Sequence, residues 1–214
     1  MGYSISWIAV RGSNEDAINS ALGIRATEER EDIPESSCTA AELANGWYIV
    51  FYNEGSDAID RYAKQLLSSA PEAIICSVEE HVMCSVVAGW TAGTKNWEVS
   101  HESEKGIFHL SQDGSVPAEL TAIHEGLRAE QESHGREASG VDYIFDVPID
   151  LAKAIVGFKH DEDPDYDGED PWKVCEILEP IQRNAPKPKT GCLSLILVGG
   201  AFVSTLSYLK THMV

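Results

Sequence analysis

Apolar and polar positions alternate, or recur with helical spacing, along most of the N-terminal part of the chain. These patterns predict strands over residues 3–10 and 47–52 and helices over residues 14–22 and 57–68. Ser13 and Ser56 precede the two helices and are predicted to cap their N-termini. Residues 25–37 are charged and show no periodicity, so we expect an exposed loop there.

The middle of the chain is rich in short apolar runs that predict successive strands. These runs cover residues 73–78, 82–90, 95–101 and 106–111, and helices are predicted over 116–132, 149–158 and 171–178. The tetrapeptide Thr91-Ala-Gly-Thr94 is typical of a tight hairpin turn. Sequential strands with short connections pair antiparallel, as in a meander. Residues 1–183 are therefore predicted to form one α+β domain, a mostly antiparallel sheet with packed helices.

The C-terminal part differs in composition. Residues 184–190 form a Pro/Lys linker, and residues 191–214 are an apolar segment in which positions 192–209 carry no charge. A helix of that length spans about 27 Å, which is short for a bilayer core of about 30 Å. One interpretation is a membrane anchor, with the basic residues before it keeping the domain on the inner face of the membrane. The alternative is a tail packed on the domain.

The net charge of −19 changes what the domain can bind. Such a surface repels phosphate backbones, which argues against a nucleic-acid partner, and it suits solubility, a cation or a basic protein partner. The five cysteines include no C-x-x-C pair, and none lies in a setting that would lower its pKa. Together with the polar N-terminus, this predicts a cytoplasmic protein in a reducing compartment.

The most acidic stretch holds seven acids between residues 161 and 170. Asp163, Asp165 and Asp167, followed by a glycine, match the first ligands of a calcium loop. The twelfth position, normally a bidentate Glu, is Val174, so a solvated acidic loop is the simpler interpretation. Trp172 follows this stretch, and we expect it to be exposed as a partner contact.

Glu79, Glu80 and His81 are the strongest candidates for catalysis. Two carboxylates and an imidazole between apolar strands can act as general acid and base. Because neighbouring strand residues point to opposite faces, Glu79 and His81 are expected on one side and Glu80 on the other. If the three residues instead connect two strands, they are merely solvated. A zinc protease motif is absent, because the position four residues after His124 is Arg128. No nucleophile elbow or phosphate-binding glycine loop is found.

Several segments resemble a group of uncharacterised bacterial proteins. The resemblance lies in residues 2–12 (GYSISWIAVRG), 78–83 (VEEHVM) with 88–90 (AGW), 142–153 (DYIFDVPIDLAK) and 157–161 (GFKHD). It covers about residues 1–161 and implies no activity and no catalytic residue. The acidic stretch and the apolar tail are expected to differ from that group.

Three functions follow as hypotheses. The first is a non-enzymatic acidic protein that binds a basic protein partner, as inhibitors and immunity proteins do. The second is an enzyme with an acid-base site at Glu79, Glu80 and His81, with His101 as a further candidate. The third is calcium binding at Asp163, Asp165 and Asp167, and no other cofactor is indicated.

Overall fold

The chain forms one α+β fold built on a nine-stranded antiparallel sheet, and the predicted fold class is confirmed. The computed structural model describes residues 2–55, 57–135, 140–162 and 170–178. The strands are β1 (Ser4–Arg11), β2 (Ile24–Glu31), β3 (Cys38–Glu42), β4 (Tyr48–Tyr52), β5 (Glu72–Glu79), β6 (Cys84–Thr91), β7 (Thr94–Glu102), β8 (Ser111–Gly114) and β9 (Trp172–Ile177). Their order is β2-β9-β3-β4-β1-β5-β6-β7-β8.

Two helices cover each face of the sheet. They are α1 (Glu15–Leu22), α2 (Asp57–Leu67), α3 (Glu119–Ser133) and α4 (Asp146–Val156). One apolar cluster packs the sheet against α1 and α2, and a second packs it against α4, with α3 resting mainly on α4. The central strand β1 contributes Ile8 and Val10 to the first cluster and Ile5 and Trp7 to the second. Burial on both faces explains why its buried residues run without a break.

The four strands β5 to β8 form the predicted meander, because each pairs with the next along the chain. The β6–β7 turn has positive φ at Ala92 and Gly93, as a two-residue hairpin requires. Gly89 on β6 lies under the Trp97 indole, where a Cβ atom would stand 2.4 Å from the ring. This close approach explains why glycine occupies that position.

The sequence-based predictions were wrong in four places. Residues 25–37 were expected to be a loop, but residues 25–31 belong to strand β2, and residues 171–178 were expected to be helical but contain β9. The strand expected over 106–111 lies later, as β8. The N-cap of α1 is Asn14 rather than Ser13, and its side chain accepts a hydrogen bond from the Ala17 backbone N–H at 2.8 Å.

Two predicted segments lie outside the described residues, namely the linker 184–190 and the apolar segment 191–214. The residue expected to cap α2, Ser56, lies outside them as well. Within the part of the chain that the structure describes, no helix is both long enough and apolar enough to cross a membrane.

Candidate functional site

The turn after β5 brings together the predicted pair Glu79 and His81. His81 Nδ1 lies 2.7 Å from Glu79 Oε1, and the Ser4 hydroxyl donates to Glu79 Oε2 at 2.6 Å. Glu79 ends β5, and residues 80–83 form the turn between β5 and β6, so Glu80 and His81 belong to a strand connection rather than to a continuous strand. The expected pairing is therefore present, but it lies on a surface turn.

The environment of Glu79 keeps its carboxylate ionised. Burial alone would raise its pKa, but the hydrogen bonds from Ser4 and His81 outweigh burial and hold the pKa below its ordinary value. A general acid or base near neutral pH needs the opposite shift. The His81 side chain is also 62% exposed. The pair thus has hydrogen-bonding geometry but lacks the enclosure and the raised pKa of an acid-base site.

Glu80 lies in the turn that follows β5. Its Oε2 accepts a hydrogen bond from the Tyr3 backbone N–H at 2.8 Å. The Tyr3 ring in turn contacts the His160 imidazole edge to face, with 4.9 Å between ring centroids. Glu80 therefore connects the β5–β6 turn to the segment that follows α4.

A cavity of about 570 Å³ lies at this end of the sheet. Its apolar walls include Phe51, Phe158 and Trp172, whose rings pack edge to face with centroids 5.5–6.3 Å apart. Its rim carries the carboxylates of Glu35, Asp161 and Glu162, with Ile33 and Pro34 from the β2–β3 loop, Asn53, Tyr3 and His160. Neither Glu79 nor His81 lines it. An aromatic floor under an acidic rim suits a cation on an apolar stem.

His160 supplies a polar atom to this cavity. Its Nδ1 atom is buried and has no hydrogen-bond partner among the residues that the structure describes. Burial lowers the pKa of the imidazole, although the nearby carboxylates of Asp161 and Glu80 oppose that shift. A neutral His160 can accept a hydrogen bond from a ligand at this nitrogen when the proton is on Nε2.

Two lysines lie close to the acidic rim. Lys153 Nζ is bonded to both oxygens of Glu162, at 2.7 and 2.6 Å. Lys159 Nζ is 3.1 Å from Asp150, 3.6 Å from Asp146 and 3.9 Å from Asp161. Burial would lower the pKa of Lys159, but these carboxylates outweigh it and the pKa is raised. Both lysines are already engaged with acids of the same chain.

The same holds for most basic residues on the described surface. Nine of the chain's sixteen basic residues form ion pairs with its own acids. The pairs join Arg11 to Glu72, Arg25 to Glu176, Arg61 to Glu54, Lys95 to Glu98, Lys105 to Glu102, Arg128 to Glu132, Lys153 to Glu162, Lys159 to Asp150, and Lys173 to Glu15. Because the chain has 35 acids, this pairing leaves a surplus of carboxylates.

Trp172 does not occupy the position expected from the sequence. Its side chain is fully buried against Phe51 and Phe158, so the predicted exposed contact is wrong. The reason is that Trp172 begins strand β9 rather than a surface helix, and its ring closes the second apolar cluster. Trp172 therefore forms part of the floor of the cavity.

The predicted calcium ligands Asp163, Asp165 and Asp167 lie outside the described residues. Within residues 2–55, 57–135, 140–162 and 170–178, no group of three or more His, Cys, Asp or Glu side chains is arranged to hold a metal ion. The calcium hypothesis therefore stays a prediction about the acidic stretch.

A buried histidine pairs with a residue that the sequence did not single out. His101 Nε2 lies 2.9 Å from Asp142 Oδ2, and His101 Nδ1 lies 2.7 Å from the His109 carbonyl oxygen. The sequence offered His101 as a further candidate beside Glu79 and His81, and in the structure its two ring nitrogens contact His109 and Asp142. Asp142 Oδ1 also accepts from the Phe145 backbone N–H at 3.2 Å. The pair therefore joins β7 to the segment that begins α4.

Two cysteines on neighbouring strands form a pair that the sequence does not reveal. Cys38 on β3 and Cys175 on β9 are buried free thiols on two strands that pair directly with each other. No local motif marks them, because more than a hundred residues separate them in the chain. Only the entry of β9 beside β3 brings them together.

Comparison with models of protein families, with curated proteins and with solved structures finds no match to this chain.

Proposed function

We propose that this protein binds a basic protein partner through its acidic surface, in the manner of an inhibitor or immunity protein. The proposal is supported by the ion pairs that the chain's lysines and arginines form with its own acids. Nine basic residues are engaged with acids of the same chain, so an approaching basic surface meets mainly carboxylates. The negative electrostatic field of these carboxylates speeds encounter with a basic partner, and it weakens as salt screens it.

The cavity rimmed by Glu35, Asp161 and Glu162 is the contact point that we propose for a lysine or arginine of the partner. Its volume of about 570 Å³ is enough for a long side chain. The aromatic floor formed by Phe51 and Phe158 would pack against the methylene groups. At the rim, Glu35 would face the charged end together with Asp161 and Glu162, which the cation would share with Lys159 and Lys153. A cation that is held this way combines apolar burial with charge complementarity, which favours a specific contact.

The experiment compares two neutralised variants that change the net charge equally. The double variant Glu35→Gln/Asp161→Asn removes two rim charges, and the control Glu125→Gln/Glu130→Gln removes two exposed charges from α3. We expect the wild-type protein to capture a basic protein at low salt. Binding of that protein, measured by titration, should weaken at least about fivefold in the rim variant and little in the control.

Three results would contradict the proposal. One is that no basic protein is recovered at low ionic strength. The other is that the rim variant and the α3 control bind the recovered protein equally well, because the cavity would then have no part in recognition. A binding constant that does not change with salt would also count against an electrostatic mode.

A further inference from the structure

The register of β3 and β9 places Cys38 directly opposite Cys175. Thr39 pairs with Val174 and Ala40 with Lys173 in this antiparallel ladder, so the next pair outward is Cys38 with Cys175. Both side chains lie on the face that packs against α1 and α2. Directly opposed residues in an antiparallel pair have Cα atoms about 4.5–5.5 Å apart. That separation falls within the range that a disulfide spans, about 4.4–6.8 Å.

The two thiols differ in how readily they ionise. The neighbouring Cys38 thiol lowers the pKa of Cys175 although burial opposes the shift. The proximity of Cys175, together with burial, raises the pKa of Cys38. The expectation that no cysteine has a lowered pKa is therefore wrong for Cys175. Because the thiolate is the reactive form, Cys175 is the thiol that reacts first with an oxidant.

Access to Cys175 is restricted but not closed. The residue is 6% exposed, whereas Cys38 is fully buried. Between β9 and the edge of the sheet there is only one strand, β2, and the β2–β9 ladder is irregular between Ala26 and Arg30. A small oxidant such as a hydroperoxide can reach a thiol in this position when the edge opens locally.

We propose that Cys38 and Cys175 form an oxidation-sensitive pair that closes a disulfide between β3 and β9. In the first step the Cys175 sulfur attacks a hydroperoxide, the O–O bond breaks, and Cys175 becomes a sulfenic acid while the peroxide is reduced to its alcohol, or to water for hydrogen peroxide. In the second step the Cys38 sulfur attacks the Cys175 sulfur, the S–O bond breaks, and water leaves with the Cys38 proton. A thiol reductant reduces the disulfide back to the two cysteine thiols and is itself oxidised to a disulfide.

The disulfide would act on the strand that carries the floor of the cavity. Trp172 begins β9 three residues before Cys175, and its ring packs on Phe51 and Phe158. The cross-link encloses more than a hundred residues, and long loops gain the most stability in the chain-entropy model. Oxidation should therefore fix β9 and the cavity floor to β3.

The test exposes the full chain to hydrogen peroxide, blocks the remaining thiols and maps disulfides by mass spectrometry of unreduced peptides. We expect a peptide pair that joins Cys38 to Cys175, and an unfolding temperature higher by about 5–10 °C that reverts with a thiol reductant. In Cys38→Ser the pair cannot form, and a sulfenic-acid reagent should label Cys175 instead. Cys175→Ser should neither cross-link Cys38 nor give that label at position 38.

Cys76→Ser is the matched control, because Cys76 is a buried free thiol whose pKa is raised by burial alone. This variant should form the Cys38–Cys175 link at the wild-type rate. The proposal is overturned if peroxide oxidises the protein without producing that link, or if Cys76 is labelled as fast as Cys175. It is also overturned if the cross-linked protein is no more stable than the reduced one.

Discussion

Two regions of the same sheet are built in different ways. The meander half consists of β5, β6, β7 and β8, each paired with the strand that follows it in the chain. The insertion half consists of β2, β9 and β3, where β9 enters between two strands that precede it by more than a hundred residues. The β5–β6 ladder is regular over eight pairs, whereas the β6–β7 and β2–β9 ladders each contain one irregularity.

The difference concerns which contacts hold each half in place. Short turns set the register of the meander half, and β7 is also held by the buried pair of His101 and Asp142. The insertion half depends on contacts between distant segments, with Trp172 and Cys175 on β9 facing opposite sides of the sheet. Trp172 of the cavity floor and the thiol pair both belong to the insertion half. The features that we connect with binding and oxidation therefore lie where the fold depends most on long-range contacts.

The largest effect is expected from Trp172→Ala. The fully buried indole anchors β9 against Phe51 and Phe158, so its loss should lower the free energy of unfolding by about 3–5 kcal/mol. Chemical denaturation measures the loss, and hydrogen exchange shows where protection disappears. We expect the amides of β2, β3 and β9 to lose protection while those of β5 and β6 keep it.

Trp97→Ala is the matched variant in the meander half, because this indole is also buried and covers Gly89. It should remove protection from β6, β7 and β8 first. If both variants lose protection in the same strands, the sheet opens as one unit and the comparison between the two halves fails.

His101→Ala tests the polar contact that holds the meander half to α4. Removing the imidazole leaves the nearly buried Asp142 carboxylate without this partner, so the free energy of unfolding should fall by about 2–3 kcal/mol. His81→Ala is the control, since its exposed side chain should cost less than about 1 kcal/mol. If His101→Ala lowers the free energy of unfolding as little as the control does, water replaces the imidazole and the His101–Asp142 pair contributes no net stability.

The sequence predicted the meander half far better than the insertion half, for a physical reason. Strands β5 to β7 carry apolar runs separated by short turns, and such patterns are local. Strand β2 is charged and lies at the sheet edge, so its side chains show no apolar periodicity. Strand β9 is short and its place beside β3 is set by tertiary pairing. Nothing in the sequence of residues 172–177 indicates that β3 is the neighbouring strand.

The candidate site divides in the same way. Glu79 and His81 are two residues apart on one turn, and their pairing was predicted because it is local. The cavity joins the β2–β3 loop, the end of β4, the segment after α4 and the start of β9, and no local pattern combines these. The Cys38–Cys175 pair likewise depends on the β3–β9 register. Prediction from sequence therefore ended where separate segments had to be placed side by side.

The smallest effect is expected from Glu79→Gln, which tests the turn at the end of the meander half. The pKa of Glu79 is lower in the folded protein than its ordinary value, so ionised Glu79 stabilises the fold above that ordinary value. This stabilisation is lost as the pH falls through the folded-state pKa. Because a third of the side chain is exposed, the variant should lose less than about 1 kcal/mol at pH 7. Near pH 3 the loss should be smaller still, as measured by urea unfolding at both pH values.

Glu125→Gln on α3, an exposed residue, should change stability little at either pH. A loss for Glu79→Gln that grows as the pH falls would contradict a stabilising carboxylate and would favour a protonated Glu79, as the acid-base hypothesis requires.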